Sequence, residues 1–585
     1  MAARISSLEK SATKAKQKPE SKSSTSSSGA GSMSEGMREE IVVQKGSSTQ
    51  YFNEILLSTV IEGQDMKAVL APPNTAPLQP QVISPFNAHG ILSSPSLSIV
   101  PSTLHPPQDI AVKLWKIYVD NVESCVGLKI LHLPTDNIKV YSTINDPTTA
   151  SLENLALCYA VYFASVVSMD DSEAAVMLGE EKNTIMLRFK VGLEQALAHG
   201  DFLDRPTITG LCAFEIYLSA VRVHNRGKGI WILNGLAIRI AQSLGLHRDG
   251  GKLGLPPFES EIRRRIWWHL LCREWRSGED YGLENMNNSL LMADVDLPIN
   301  IEDMDLYPGM QKLPAPRKGW TDISFSLICI DLAKCMQKLG VISTSSSPSS
   351  PPSESSRAQI IKETKERVEK QLIHCNPLLP PQRLALLASN FLLRKYDFVT
   401  RLQWILLRCD NERADFVSEE NLVEALEILE SRMHRLDGLL KQFSWIKKAF
   451  PQYHVTMYVL WHLSVKPEGP NIDRAWATTE TIFSPEIWDE TTMGFGSKSA
   501  VLTALRAKAV SVREKAWRLS TGKLNESDSL SRENLPSQIE DSGTSPRAVH
   551  QDTNAGEIDL GGSIEEWPDW EALVENFQFN SSDMF

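Results

Sequence analysis

Residues 229–251 read GIWILNGLAIRIAQSLGLHRDGG. Leu233, Leu236, Ala237, Ile240, Ala241 and Leu244 recur every three or four positions, which puts them on one face of a helix. Gly245 followed by Leu246 predicts a Schellman ending, in which the glycine takes the left-handed position and the leucine folds back onto the last turn. His247–Gly251 then reads as a loop. Upstream, Arg226-Gly227-Lys228-Gly229 reads as the turn from a preceding helix, Ile208–Arg226. Downstream, a helix is predicted from about Phe258 to Arg276. Ile262, Ile266, Leu270 and Trp267 form its buried side, and Glu259→Arg263 and Glu261→Arg265 are pairs at i,i+4 in the favourable orientation.

Working outward, the pattern stays helical. Asp109 is placed as an N-cap, with Ile110, Leu114, Tyr118 and Val122 as a stripe behind it. Ser151–Met169 is apolar on most sides and is therefore expected at the centre of a core. Further helices are expected at about 358–376, 380–410, 418–446, 451–465 and 500–520. Alternating strand segments are few, and no fixed-period repeat stands out. The fold class is all-α, a multi-helix bundle or solenoid-like regulatory domain over 109–520 with disordered N- and C-terminal tails. Residues 1–50 are expected to be a disordered, weakly basic arm. Residues 51–108 hold a short helix (51–70) and then nine prolines in 38 positions, a linker. Residues 343–356, with nine Ser and three Pro, read as a solvated loop. Residues 521–555 read as a disordered linker and 556–585 as a separate acidic, aromatic segment.

The chain has 585 residues, 42% hydrophobic and 23% charged, with a net charge of −12. That is the wrong sign for a surface that mainly tracks phosphates. Eight cysteines are no disulfide framework. No secretory leader is expected, and the longest apolar run, Leu155–Val167, is too short to span a bilayer.

Chemistry-bearing constellations are sparse. The cysteines at 125, 158, 212, 272, 329, 335, 375 and 409 include no C-x₂-C, so no metal ligands are expected. Gly250–Gly254 and Gly494–Ser499 lack the phosphate-loop spacing, and no nucleophile elbow occurs. The carboxylates of Asp294–Asp305 are read as caps and turns. No catalytic residue and no cofactor is expected. Arg263-Arg264-Arg265-Ile266-Trp267-Trp268 interleaves bases and aromatics. It could face a nucleic acid, but its rings lie on or near the apolar stripe, which favours a structural role. Leu422, Leu426, Leu429, Met433, Leu436, Leu440 and Phe443 step as an a/d seam. Both a zipper and a core helix fit that seam, and core packing is favoured.

The last thirty residues, GEIDLGGSIEEWPDWEALVENFQFNSSDMF, hold eight acids and no base. Trp567, Trp570, Leu573, Phe577 and Phe579 stand among the acids. Such alternation suits an activation segment that folds into a co-activator groove, or alternatively a helix docking on its own domain.

Arg226–Leu306 resembles the fungal-specific transcription factor regulatory domain, the middle homology region of the zinc-cluster regulators. The resemblance is carried by Arg226, Trp231, Gly235, Ala237, Arg239, Ala241, Gly245, Leu246, His247 and Arg248. It continues through Glu261, Arg263, Arg264, Arg265, Trp267 and Trp268 to Asp296, Pro298 and Asp303. One departure is large: the first 124 residues contain no cysteine, so the family's six-cysteine DNA-reading cluster is missing and the chain is expected to start downstream of it. The resemblance implies a nuclear, non-enzymatic regulator of a pathway such as a secondary-metabolite or catabolic cluster. It implies homo- or heterodimers with related regulators and contact with co-activator machinery. DNA would be met only indirectly or through the missing cluster, and no membrane is involved. Two alternatives stand beside the activator: a sequestering inhibitor of full-length relatives, and a truncated gene model.

Overall fold

A computed structural model describes residues 41–45, 48–52, 57, 60, 91, 99–123, 129–225, 227–281, 294–345, 353–407, 416–431, 438–449, 452–484 and 497–530. Sixteen α-helices occur among them. The first eight are α1 (Gln108–Ile117), α2 (Leu133–Asn145), α3 (Leu152–Ser168), α4 (Asp171–Leu178), α5 (Lys182–His199), α6 (Ile208–Val221), α7 (Lys228–Ser243) and α8 (Pro257–Tyr281). Then come α9 (Ser324–Ser345), α10 (Glu354–Leu372), α11 (Pro380–Leu407), α12 (Glu419–Leu429), α13 (Ile446–Ala449), α14 (Tyr453–Val465), α15 (Ile472–Ile482) and α16 (Ser497–Leu530). One antiparallel hairpin departs from the helical plan: Ile41–Lys45 pairs with Ser48–Phe52, Ile41 opposite Phe52.

Two helices that are apolar all round each organise a core, as expected of helices with no solvent face. On α3, Leu155 to Ser168 is buried without interruption, and α1, α2, α5 and α6 pack around it. The fit is close: Gly192 of α5 lies against the Tyr159 ring, which an added Cβ would approach to 2.7 Å. Phe163 and Tyr217 meet edge to face at 5.2 Å. On α14, Tyr453 to Ser464 is buried in the same way, against α11, α12, α15 and α16. Between these cores α8 packs on α7 and α9, and α9, α10 and α11 pack on one another.

The predicted ending of α7 is made. Gly245 has φ +77°. The Leu246 N–H donates to Ala241 O at 2.9 Å, the Gly245 N–H donates to Gln242 O at 3.0 Å, and Leu246 is fully buried.

Several expected boundaries move. Helix α1 begins at Gln108 behind Pro107, so Asp109 lies in its first turn rather than capping it. Tyr51 and Phe52 are strand, while Leu57 and Val60, both helical, are buried in the second core. The Ser/Pro-rich loop is shorter than 343–356: α9 runs to Ser345, and Ser353 caps α10 by accepting from the Ser356 N–H. Helix α16 runs to Leu530, beyond the expected start of a linker at 521. The single helix expected over 418–446 is replaced by α12, a 3-10 turn at Gly438–Phe443 and the short α13. Leu422, Leu426, Leu429, Leu440 and Phe443 are buried, so these seam residues pack into the interior; Met433 and Leu436 lie outside the described residues.

Candidate functional site

The motif residues converge on α8, an unusual helix for its position. It is rich in charge, yet Glu261, Arg264, Arg265, His269, Arg273 and Glu274 are all buried. Charges there persist only when paired. Positions 261, 265, 269 and 273 lie four apart and make one row along the helix.

The three consecutive arginines point in three directions, about 100° apart on a helix. Arg263 donates from Nη1 to Leu244 O at 2.8 Å and so caps α7, where a cation also suits the negative end of the helix dipole. Arg264 grips Asp249 with two hydrogen bonds, Nε to Oδ2 at 2.7 Å and Nη2 to Oδ1 at 2.9 Å. Arg265, wholly buried, donates from Nη1 to Asp303 Oδ1 at 2.7 Å and from Nε to Glu261 Oε1 at 3.3 Å.

Each partner is held in turn. Asp249 also accepts from the Gly251 and Asp296 N–H groups. The Arg264 hydrogen bonds hold its carboxyl below the usual range, against the opposing effect of burial. Glu261 accepts the Ile299 N–H at 3.2 Å; burial raises its pKa, and Arg265 pulls it back. Asp303 accepts from the Leu133 N–H at 3.0 Å and lies 3.0 Å from Lys129 Nζ. Burial works against its ionisation, but Lys129 and Arg265 outweigh that and keep its pKa low. Lys129 reaches Glu123 at 3.3 Å, and Glu123 accepts the Tyr118 hydroxyl at 2.9 Å. Burial raises Glu123, with Lys129 opposing. His132 Nε2 lies 2.9 Å from Asp303 O.

The result is a chain of alternating charge: Glu123, Lys129, Asp303, Arg265, Glu261, Arg264, Asp249. It ties the π-helical turn after α1 (Tyr118–Glu123), the lead-in to α2, α8, the loop at 247–251 and the segment 294–305 into one body. A second group continues along α8. His269 and Arg273 stand 3.3 and 3.5 Å from Glu215 of α6, Arg273 donates to Ser219, and Asn234 of α7 donates to Glu274 at 2.7 Å.

The acidic segment is woven into the same body. The Asp249 N–H donates to Asp294 O, Pro298 and Ile301 are buried, and Trp268 donates its indole N–H to Asp296 O at 2.9 Å. Reading every carboxylate of 294–305 as a cap or turn is therefore corrected at Asp303, which is buried in the ion chain. Glu302 and Asp305 do form a capping box.

The remaining motif residues divide. Ala237, Ala241, Leu246 and Trp267 are buried and Trp231, Gly235 and His247 half-buried, while Arg239 and Arg248 are exposed. Arg226 lies outside the described residues, as do Trp567, Trp570, Leu573, Phe577 and Phe579. The basic–aromatic run is thus directed inward, onto carboxylates and carbonyls. Sequence reading missed Glu123, Lys129 and Glu215 because their partners lie far along the chain. Among the described residues no group of three His, Cys, Asp or Glu could hold a metal ion, and no described helix is long and apolar enough to cross a membrane. The described cysteines are unpaired, and burial pushes the Cys158 thiol up to about 12. They do not fit a binuclear zinc cluster, whose ligands must be clustered thiolates.

Residues 115–375 match the fungal specific transcription factor domain. The aurofusarin cluster transcription factor aurR2 of Gibberella zeae is 28% identical over 450 residues, 76% of this chain and 66% of that protein. The pyriculol/pyriculariol biosynthesis cluster transcription factor 1 of Pyricularia oryzae is 28% identical over 435 residues, 70% of this chain and 56% of that protein. The transcriptional regulator AacuB of Aspergillus aculeatus is 26% identical over 412 residues, 69% and 55% of the two chains. The chain spans 55% to 66% of the length of these three relatives.

Proposed function

Because residues 115–375 carry a fungal specific transcription factor domain, we propose that this protein regulates transcription of a secondary-metabolite gene cluster in the nucleus. The domain is that of a regulator rather than an enzyme. The observation that carries the finer reading is that two of these relatives, matched over 70% or more of this chain, are named for biosynthetic clusters.

In this account the ion chain on α8 sets the shape of the controlling domain and contacts neither DNA nor substrate. DNA is reached through a zinc cluster outside this sequence or through a DNA-bound relative in a homo- or heterodimer. Gly556–Phe585, with eight acids and no base, recruits co-activator machinery. Transcript measurement in the source fungus tests the reading. Deleting the gene lowers, and overexpressing it raises, transcripts of neighbouring biosynthetic genes; no change in either strain refutes it. The alternative is a sequestering inhibitor that pairs with DNA-binding relatives. It predicts the opposite sign in both strains.

A further inference from the structure

Helix α16 presents a basic, aromatic flank. Residues 506–518, RAKAVSVREKAWR, hold five bases and one acid. Leu505 and Ala509 face the core. Arg506, Val510, Arg513 and Trp517 follow at i, i+4, i+7 and i+11 and share one side of the helix. Two rings of α15 and its C-terminal end, the buried Trp476 and the half-buried Phe483, lie beneath that side. The Arg506 guanidinium lies 4.8 Å over Phe483, just past the end of α15, and 2.9 Å from Glu480. The Arg513 guanidinium lies 4.9 Å over Trp476 of α15. Arg513, Lys515 and Arg518 are exposed, and Trp517 is 67% exposed. The surface is a shelf on which the exposed Trp517 ring stands among guanidinium and ammonium groups, with Arg513 laid over the buried Trp476, suited to a ligand that offers both carboxylates and aromatic side chains.

The chain itself contains such a ligand. Gly556–Phe585 brings eight acids, no base, two tryptophans and three phenylalanines. It follows α16 in the chain after residues 531–555. A coil of that length spans about 25–30 Å root-mean-square, and the stretch of helix from Arg513 to Leu530 is about 26 Å long, so the segment reaches back to the shelf. We propose that the shelf on α16 docks Gly556–Phe585 of the same chain. A contact within one chain at this tether length acts at an effective concentration in the millimolar range. Weak exposed ion pairs assisted by ring contacts then suffice to close it, and a competing partner suffices to open it. The consequence for regulation, that docking withholds the segment from co-activators, rests on the activation reading above; the docking itself does not.

Hydrogen–deuterium exchange on the full chain tests this. In the wild type, amides of about 565–579 exchange roughly tenfold more slowly than an unstructured peptide. Protection is lost in Arg513→Glu/Lys515→Glu and at about 0.5 M salt, where surface charges are screened within a few ångströms. The variant Glu565→Gln/Glu566→Gln/Asp569→Asn/Glu571→Gln leaves α16 intact and loses protection equally, which covers the case in which the α16 variant misfolds. Unprotected amides in the wild type, protection unchanged in both variants, or protection that rises with protein concentration (a second copy) each overturn the proposal. So does an unprotected tail together with retention on duplex DNA that Arg513→Glu abolishes. A reporter driven by Gly556–Phe585 fused to an unrelated DNA-binding module separates the two readings. Silence there removes activation and leaves docking standing; exchange data without protection do the reverse.

Discussion

Replacing Arg265 by methionine keeps the bulk of its side chain and removes its charge. The residue is fully buried between Asp303, 2.7 Å from Nη1, and Glu261, 3.3 Å from Nε. Without the guanidinium, Asp303 retains Lys129 and the Leu133 N–H. Glu261 retains the Ile299 N–H and Arg264 at 3.7 Å. Both carboxylates thus stay buried with reduced compensation. Breaking one side of such a pair costs about 3–5 kcal/mol, which for a domain of this size lowers the melting temperature by about 4–6 °C. Urea or thermal unfolding followed by far-UV circular dichroism measures it. The double variant Arg265→Met/Asp303→Leu removes one stranded charge as well. It is expected to be milder than the sum of the single variants by about 0.5–3 kcal/mol. A single variant within about 1 kcal/mol of wild type, a shift ordinary for surface sites and conservative changes, refutes the reasoning that these ions hold the motif together.

Four further outcomes are expected. Gly250→Ala places a Cβ 2.6 Å from Ser260 Oγ and 2.8 Å from Ser260 Cα, and such overpacking lowers stability by about 1–3 kcal/mol in the same unfolding assay. Gly235→Ala, by contrast, meets nothing within 4 Å on α7 and raises stability by about 0.5–1 kcal/mol, the helix-propensity difference. Burial lowers the His462 pKa from 6.5 to about 4, so the unfolded chain binds the proton first. Stability contributed by neutral His462 is complete above pH 6.5 and declines as pH falls toward 4; His462→Gln flattens that part of a stability–pH curve. Asp249 and Asp303 have lowered pKa values. Their contribution is full above the unfolded value near 3.8 and is lost as pH falls through their folded values. Asp303→Asn accordingly shows a smaller drop in stability than wild type below about pH 4.

What could be read from the chain was local. Apolar spacing and the Gly245-Leu246 pair placed α7 and its ending to within a residue or two. The unbroken apolar run placed α3 in a core. Glu261→Arg265 was a pair at fixed helical spacing and is formed. Arg263, expected to reach Glu259, instead caps Leu244, because a helix end brought close by folding offers a carbonyl that spacing along one helix does not reveal. The same limit applies to the ion chain. Lys129 and Asp303 are 174 positions apart in sequence, and nothing local marks either as buried. The described seam residues Leu422, Leu426, Leu429, Leu440 and Phe443 are buried, but the single helix is lost, for a 3-10 turn takes up the chain at Gly438. A seven-residue rhythm therefore reported which side chains face inward without fixing the backbone between them.

The proposed function is that of a controller that raises transcription through its acidic segment. The most direct measurement joins the full chain carrying Arg513→Glu/Lys515→Glu, which releases the acidic segment from α16, to an unrelated DNA-binding module and reads a reporter. Output well above the module alone, lost when Gly556–Phe585 is deleted, is expected. Output equal to the module alone, or unchanged by that deletion, contradicts it.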